Sequence, residues 1–314
     1  MNTESMPFIG TEAVAAGTAT RRTLVSRHQM IYRNVYLPTE VELTPERRAV
    51  AAWLWSNRNA TLAGMSASAL YGSRWIDQKL PAELIRREAC PVEGILIHRN
   101  KLRDDEIVVV GRMPVTTPAR TAFDLGRRPG LESAIIRIDA LANATGLKAV
   151  DVERLADTRR GARGIVQMRR VLELMDSGSE SPQETRTRLL LTAAGFPRPQ
   201  TQIPVIDESG SFIARVDMGW EEFQVGAEYD GAQHWDDPEQ HAYDIDRLAN
   251  LAAAGWLIIR VCRDLLRYRP HVFLARVRDA MRARGWPNAD RIRLDARILW
   301  LDRQRAECGL DTRV

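Results

Sequence analysis

The stretch Arg215 to His234, RVDMGWEEFQVGAEYDGAQH, most constrains the fold, because it sets acids onto two alternating apolar runs joined by a polar turn. Side chains two apart share a strand face. Ile213, Arg215, Asp217 and Gly219 are therefore expected on one face of the first strand, and Ala214, Val216, Met218 and Trp220 on the other. Glu221 and Glu222 form the turn, and FQVGAEYD resumes the pattern with Glu228 and Asp230 opposite Ala227 and Tyr229. Antiparallel pairing then brings Asp217 beside Glu228. Clustered carboxylates repel unless a cation lies among them, and hard oxygen donors suit Mg2+ or Mn2+. The alternative is a solvated strand face paired to nearby arginines.

Flanking signals supply the rest of a sheet domain. In SPQETRTRLLLTAAG, Ser181 reads as an N-cap, Pro182 as the first helical residue and Glu184 as a capping-box acid, with Gly195 ending the helix. A capping glutamate needs no catalytic role. QTQIPVID reads as a strand, DGAQHWDDPEQ as a loop, PEQHAYDIDRLANLAAAG as a helix and WLIIRVC as a buried strand. The order is helix, strand, strand, strand, helix, strand, an α/β unit of about 100 residues, enough for one core. Asp244 and Arg247, three apart on the second helix, are expected to form an ion pair that braces the sheet.

Taken together, Glu184, Asp217, Glu228, Asp230, His234, Asp244, Arg247 and Arg260 resemble the pattern of the very-short-patch-repair-like branch of the PD-(D/E)XK nuclease superfamily, over residues 181 to about 270. The resemblance implies a mixed central sheet, a Mg2+ or Mn2+ ion held by Asp217 and Glu228 with Glu184 assisting, and DNA phosphodiester hydrolysis in repair or phage defence. The superfamily lysine is replaced by Asp230. That leaves Asp230 or His234 to orient the attacking water.

The N-terminal segment reads differently. FIGTEAVAA (8 to 16) is expected as a helix, Gly17 as a turn, TATRRTLVSR as a second helix and MIYRNVYLP as a segment with strand alternation, the layout of a helix-turn-helix with a wing. No acid lies between Glu12 and Glu40, while Arg21, Arg22, Arg27, His28 and Arg33 all do, which suits a DNA groove and phosphates. A small helical hairpin solvated by arginines is the alternative. RRTLVSRHQMIYRNVYL, LTPERRAVAAWLW, SASALYG and PVTTPARTAFDL resemble the AbiEi-type antitoxin domain over about residues 8 to 128. This implies operator binding and repression without catalysis, and a nucleotidyltransferase-type toxin as cognate partner. Trp53 and Trp55 are expected in a core, GILIHRNKL and EIVVVGRMPVTTP as strands, and His98 as an isolated histidine.

The expected organisation is a winged helix-turn-helix (1–40), an α+β extension (41–128), a helical linker (129–180) with a flexible break at DSGSESP, an α/β nuclease-like domain (181–285) and an unassigned tail (286–314). The chain's 314 residues suit two cores. Its net charge of +4, from 45 basic and 41 acidic residues, does not by itself identify a DNA-binding protein. Cys90, Cys262 and Cys308 form no CxxC pair, and no apolar run reaches spanning length, so a cytoplasmic protein without membrane contact is expected.

Overall fold

The computed structural model describes residues 5–87, 91–207, 209–231 and 238–295. Its architecture is mixed α and β, with helices packed on mixed sheets. The chain divides into two compact units, 1–129 with 140–173, and 130–139 with 174–314.

The first unit opens with β1 (Phe8–Ile9), α1 (Gly10–Ala15), α2 (Arg21–Arg27), β2 (His28–Tyr32) and β3 (Val35–Pro38). The expected first helix thus starts two residues late. Phe8 and Ile9 pair with Tyr36 and Val35 instead, making a small sheet in the order β1-β3-β2. Long-range pairing overrides local helical preference there. Thr20, whose side chain accepts from Thr23 N, starts α2. Next come α3 (Pro45–Trp55), β4 (Thr61–Leu62), α4 (Gly64–Leu70), β5 (Ala82–Ile85), β6 (Ile95–His98), β7 (Ile107–Val110), β8 (Met113–Thr116) and α5 (Pro118–Gly126). The five strands form a sheet in the order β6-β5-β4-β8-β7, and α3 packs Trp53 and Trp55 with Leu62, Leu84 and Val115 as expected.

Helices α6 (Leu131–Thr145), α7 (Ala149–Asp157) and α8 (Ile165–Leu174) follow. The supposed flexible break after α8 is held in place. Asp176 N donates to Asp139 Oδ1 at 2.7 Å, Thr201 Oγ1 donates to Asp176 Oδ1 at 2.7 Å, and Ser179 is buried.

The second unit carries α9 (Pro182–Ala194), β9 (Gln200–Ile206), β10 (Phe212–Trp220), β11 (Val225–Asp230), α10 (Pro238–Ala253), β12 (Leu257–Cys262), α11 (Arg263–Tyr268) and α12 (Pro270–Ala283). Its sheet runs β12-β11-β10-β9, antiparallel except for the parallel β11–β12 pair. Met218, Trp220, Val225 and Ala227 pack with Leu190 and Leu191 of α9 and Phe273 and Leu274 of α12. Ala214 and Val216 instead join Ile203, Val205, Leu251 and Trp256. The expected single apolar face of β10 is therefore divided between two cores, and the change falls at Asp217. Facing it on β9, Gln202 is left-handed (φ 53°), and the ladder passes from Val216↔Ile203 to Met218↔Thr201 without pairing the two. A left-handed residue inside a strand breaks the pleat, so side chains on either side no longer alternate in step.

A candidate metal centre in the second unit and a basic surface in the first

Three strands and a helix end converge on the acids. Met218↔Ala227 and Gly219↔Gly226 fix the β10–β11 register, and one further step sets Asp217 against Glu228, as the spacing implied. Tyr229 N donates to Asp217 Oδ2 at 3.0 Å, tying the acid to the neighbouring strand. Burial pushes the Asp217 carboxyl up to about 7. The charges of Glu184 and Glu228 add to the rise, while the Tyr229 amide and Arg247 oppose it. Three carboxylates from α9, β10 and β11 thus share one electrostatic environment.

Glu184 does two things. Ser181 Oγ accepts from Glu184 N at 3.2 Å, the expected cap, while Glu184 Oε2 accepts from Glu180 N at 2.8 Å, one residue before the cap. The same Oε2 accepts from Gln202 Nε2 at 3.3 Å. Burial raises the Glu184 carboxyl above its ordinary value. Gln202 was missed in the sequence. Counting the strand register from Asp217 would have placed it opposite that acid, but only once the β9–β10 pairing was known.

Glu228 is buried and clamped. Arg247 donates from Nη1 to Oε1 at 2.9 Å and from Nη2 to Oε2 at 2.6 Å. The expected Asp244–Arg247 ion pair is present, at 4.0 Å from Nε, but the guanidinium fork itself is directed at Glu228 on β11. A planar fork matches both oxygens of a carboxylate at once. Asp230 pairs with Arg260 at 2.8 Å, so its charge is directed along the sheet. His234 lies outside the described residues.

Hard oxygen donors on a partly buried, mutually repelling acid set fit the chemistry of Mg2+ or Mn2+, with Asp217, Glu228 and Glu184 the residues that would hold it. Among the described residues, however, no three such side chains already stand together as a ligand set, and Arg247 occupies both oxygens of Glu228.

In the first unit, Arg21, Arg22, Arg27 and Arg33 are exposed and form no ion pair among the described residues. Val25, beside them on α2, is 84% exposed. His28 differs from the arginines. Its Nδ1 lies 2.9 Å from Thr23 O and its ring stacks edge-on against Phe8, so it belongs to the local packing.

This unit carries two buried ion-pair clusters. Glu83 on β5 takes the fork of Arg128, and bonds His98 at 2.9 Å and Met65 N at 3.0 Å, so His98 is not isolated. Gly64 is required there. A side chain at its left-handed φ of 52° would meet Glu83 Oε2. Within PVTTPARTAFDL, buried Arg120 bridges Glu106 and Asp124, each at 2.7 Å.

No helix among the described residues is long and apolar enough to cross a membrane. No family model matches the chain. It is similar to two curated proteins of Mycobacterium tuberculosis, "Uncharacterized protein MT2308" (strain CDC 1551 / Oshkosh) and "Uncharacterized protein Rv2248" (strain ATCC 25618 / H37Rv). Each is 29% identical over 255 residues, covering 79% of this chain and 90% of the relative. A match of 255 residues is longer than either compact unit, so the similarity reaches into both.

Proposed function

We propose that the chain is a DNA-binding protein whose second unit is a divalent-metal-dependent endonuclease, acting on duplex DNA, including mismatched or nicked forms, in repair or phage defence. One observation carries the reading. Asp217 is half-buried beside the buried Glu184 and Glu228, with its carboxyl pushed up to about 7, a cost that a bound cation relieves. It also fits the PD-(D/E)XK resemblance of residues 181 to about 270.

Asp217, Glu228 and Glu184 would hold Mg2+ or Mn2+, an ion that makes water nucleophilic near neutral pH and stabilises charge on a phosphate under attack. The chain's own groups do the rest. Tyr229 N–H fixes one oxygen of Asp217, and Gln202 fixes Glu184. The exposed arginines of the winged segment position DNA by phosphate contacts.

A second reading is a non-catalytic DNA-binding antitoxin or repressor of a type IV toxin-antitoxin system, with a nucleotidyltransferase-type toxin as partner. The observation that favours it is the fork of Arg247 on Glu228, a fixed counter-ion where a metal would otherwise neutralise charge. The deciding experiment incubates wild type and Asp217→Ala with duplex, mismatched, nicked and single-stranded DNAs under Mg2+, Mn2+ and chelator. Metal-dependent cutting lost in the variant supports the nuclease. Equal binding without cutting supports the repressor.

A further inference from the structure

Two arginines of the second unit are held in opposite ways. Arg188 is 1% exposed and its guanidinium reaches Asp139 Oδ2 at 2.7 Å, Leu174 O at 2.6 Å and Ser179 Oγ at 3.4 Å. Acceptors of three kinds enclose it, and nothing outside can reach it. Arg247 has a side chain 21% exposed, and among the described residues its hydrogen bonds go to Glu228 alone. The first is a brace, whereas the second can exchange partners.

The exchange has a natural recipient. A guanidinium fork binds phosphate oxygens with the same bidentate geometry as a carboxylate. If a phosphodiester takes the fork, Glu228 is left buried and uncompensated beside Asp217 and Glu184, a state that strongly favours a cation. If the fork stays, a metal entering the cluster meets a fixed positive charge and lacks both oxygens of Glu228.

We infer that Arg247 is a positioning residue that reserves Glu228, so that loading of the carboxylate cluster with a divalent ion is coupled to arrival of a phosphodiester. This rests on the nuclease reading and adds an order of events to it. DNA binds first, Arg247 moves from Glu228 to phosphate, and Glu228 is then free to serve as a ligand, which would let the cluster hold the ion.

The test measures Mn2+ binding to the full chain by titration calorimetry for wild type, Arg247→Ala, Arg247→Lys and Asp217→Asn, with and without a phosphorothioate duplex that resists cleavage. Without DNA, Arg247→Ala is expected to bind Mn2+ about tenfold or more tightly than wild type, a difference of about 1.4 kcal/mol. Arg247→Lys, a point charge without a fork, is expected between them. The duplex should tighten Mn2+ binding in wild type and leave Arg247→Ala nearly unchanged. Equal affinities in wild type and both Arg247 variants, all lost in Asp217→Asn, would overturn the role of Arg247 while leaving the metal site standing. No Mn2+ binding in any protein would overturn the site reading and this inference together. Should Arg247→Ala fail to fold, shown by a lost cooperative thermal transition, Arg247→Lys carries the comparison.

Discussion

Tyr229 donates its backbone N–H to Asp217 Oδ2 across the β10–β11 pair at 3.0 Å, which holds a half-buried carboxylate in place against its acidic neighbours. The bond is geometric as well as electrostatic. An asparagine at 217 keeps an acceptor for that amide and removes the charge.

Asp217→Asn is therefore expected to stabilise the metal-free protein. The folded carboxyl titrates at about 7 against an ordinary 3.8, so the wild type loses stability as pH rises between these values, and the loss is complete above the folded value. At pH 8 the variant should gain about 2–4 kcal/mol. Thermal denaturation in chelator at pH 4 and pH 8 checks this. A variant no more stable than wild type at pH 8 would show that the charge is already relieved.

Glu83 behaves in the opposite sense. Burial alone would raise its carboxyl, but the bonds from His98 and Arg128 outweigh burial and hold it at about 2, below an ordinary 4.5. Its contribution to stability is present above pH 4.5 and is lost as pH falls through 2. Glu83→Gln, which leaves Arg128 without its counter-charge, should cost about 3 kcal/mol at pH 7 and much less near pH 2. Guanidinium melts of both proteins across that range give the difference directly.

Gln202 separates backbone strain from side-chain function. Its φ of 53° suits glycine, so Gln202→Gly should hold or raise stability by about 0.5–1 kcal/mol. Gln202→Val, β-branched and unable to take that conformation cheaply, should destabilise by more. Urea midpoints rank the three proteins, and a Gly variant less stable than Val would refute the account of the pleat break.

For the basic surface, changing Arg21 and Arg22 together to alanine should weaken duplex binding and make its dependence on log salt shallower by about 2, one unit for each lost phosphate contact. Changing Val25 to alanine should alter sequence preference more than the salt slope, since an exposed apolar group beside arginines suits a thymine methyl. Fluorescence anisotropy at several salt concentrations measures both.

Much of the second unit was legible in its residues. The helix-strand-strand-strand-helix-strand order follows from apolar periodicity, and α9 begins at Ser181 and ends at left-handed Gly195 as its local chemistry dictates. The Asp217–Glu228 register followed from the turn at Glu221 and Glu222. What escaped depends on contacts distant in sequence. The pleat break needs Gln202 on a different strand, the clamp on Glu228 needs a helix nineteen residues on, and β1 forms only because β3 is there to receive it. Strand β5 was hidden for another reason. Its four residues are all buried, including Glu83, so no alternation marked it.

The Glu184 oxygen that accepts from Gln202, opposite Asp217 on β9, is also the acceptor that holds the Glu180 amide at the start of α9. Any ligand that draws this oxygen toward Asp217 takes it from the helix entrance, so occupancy of the site can be followed without observing the site. Hydrogen exchange at a single main-chain amide, Glu180, should quicken as the cluster fills.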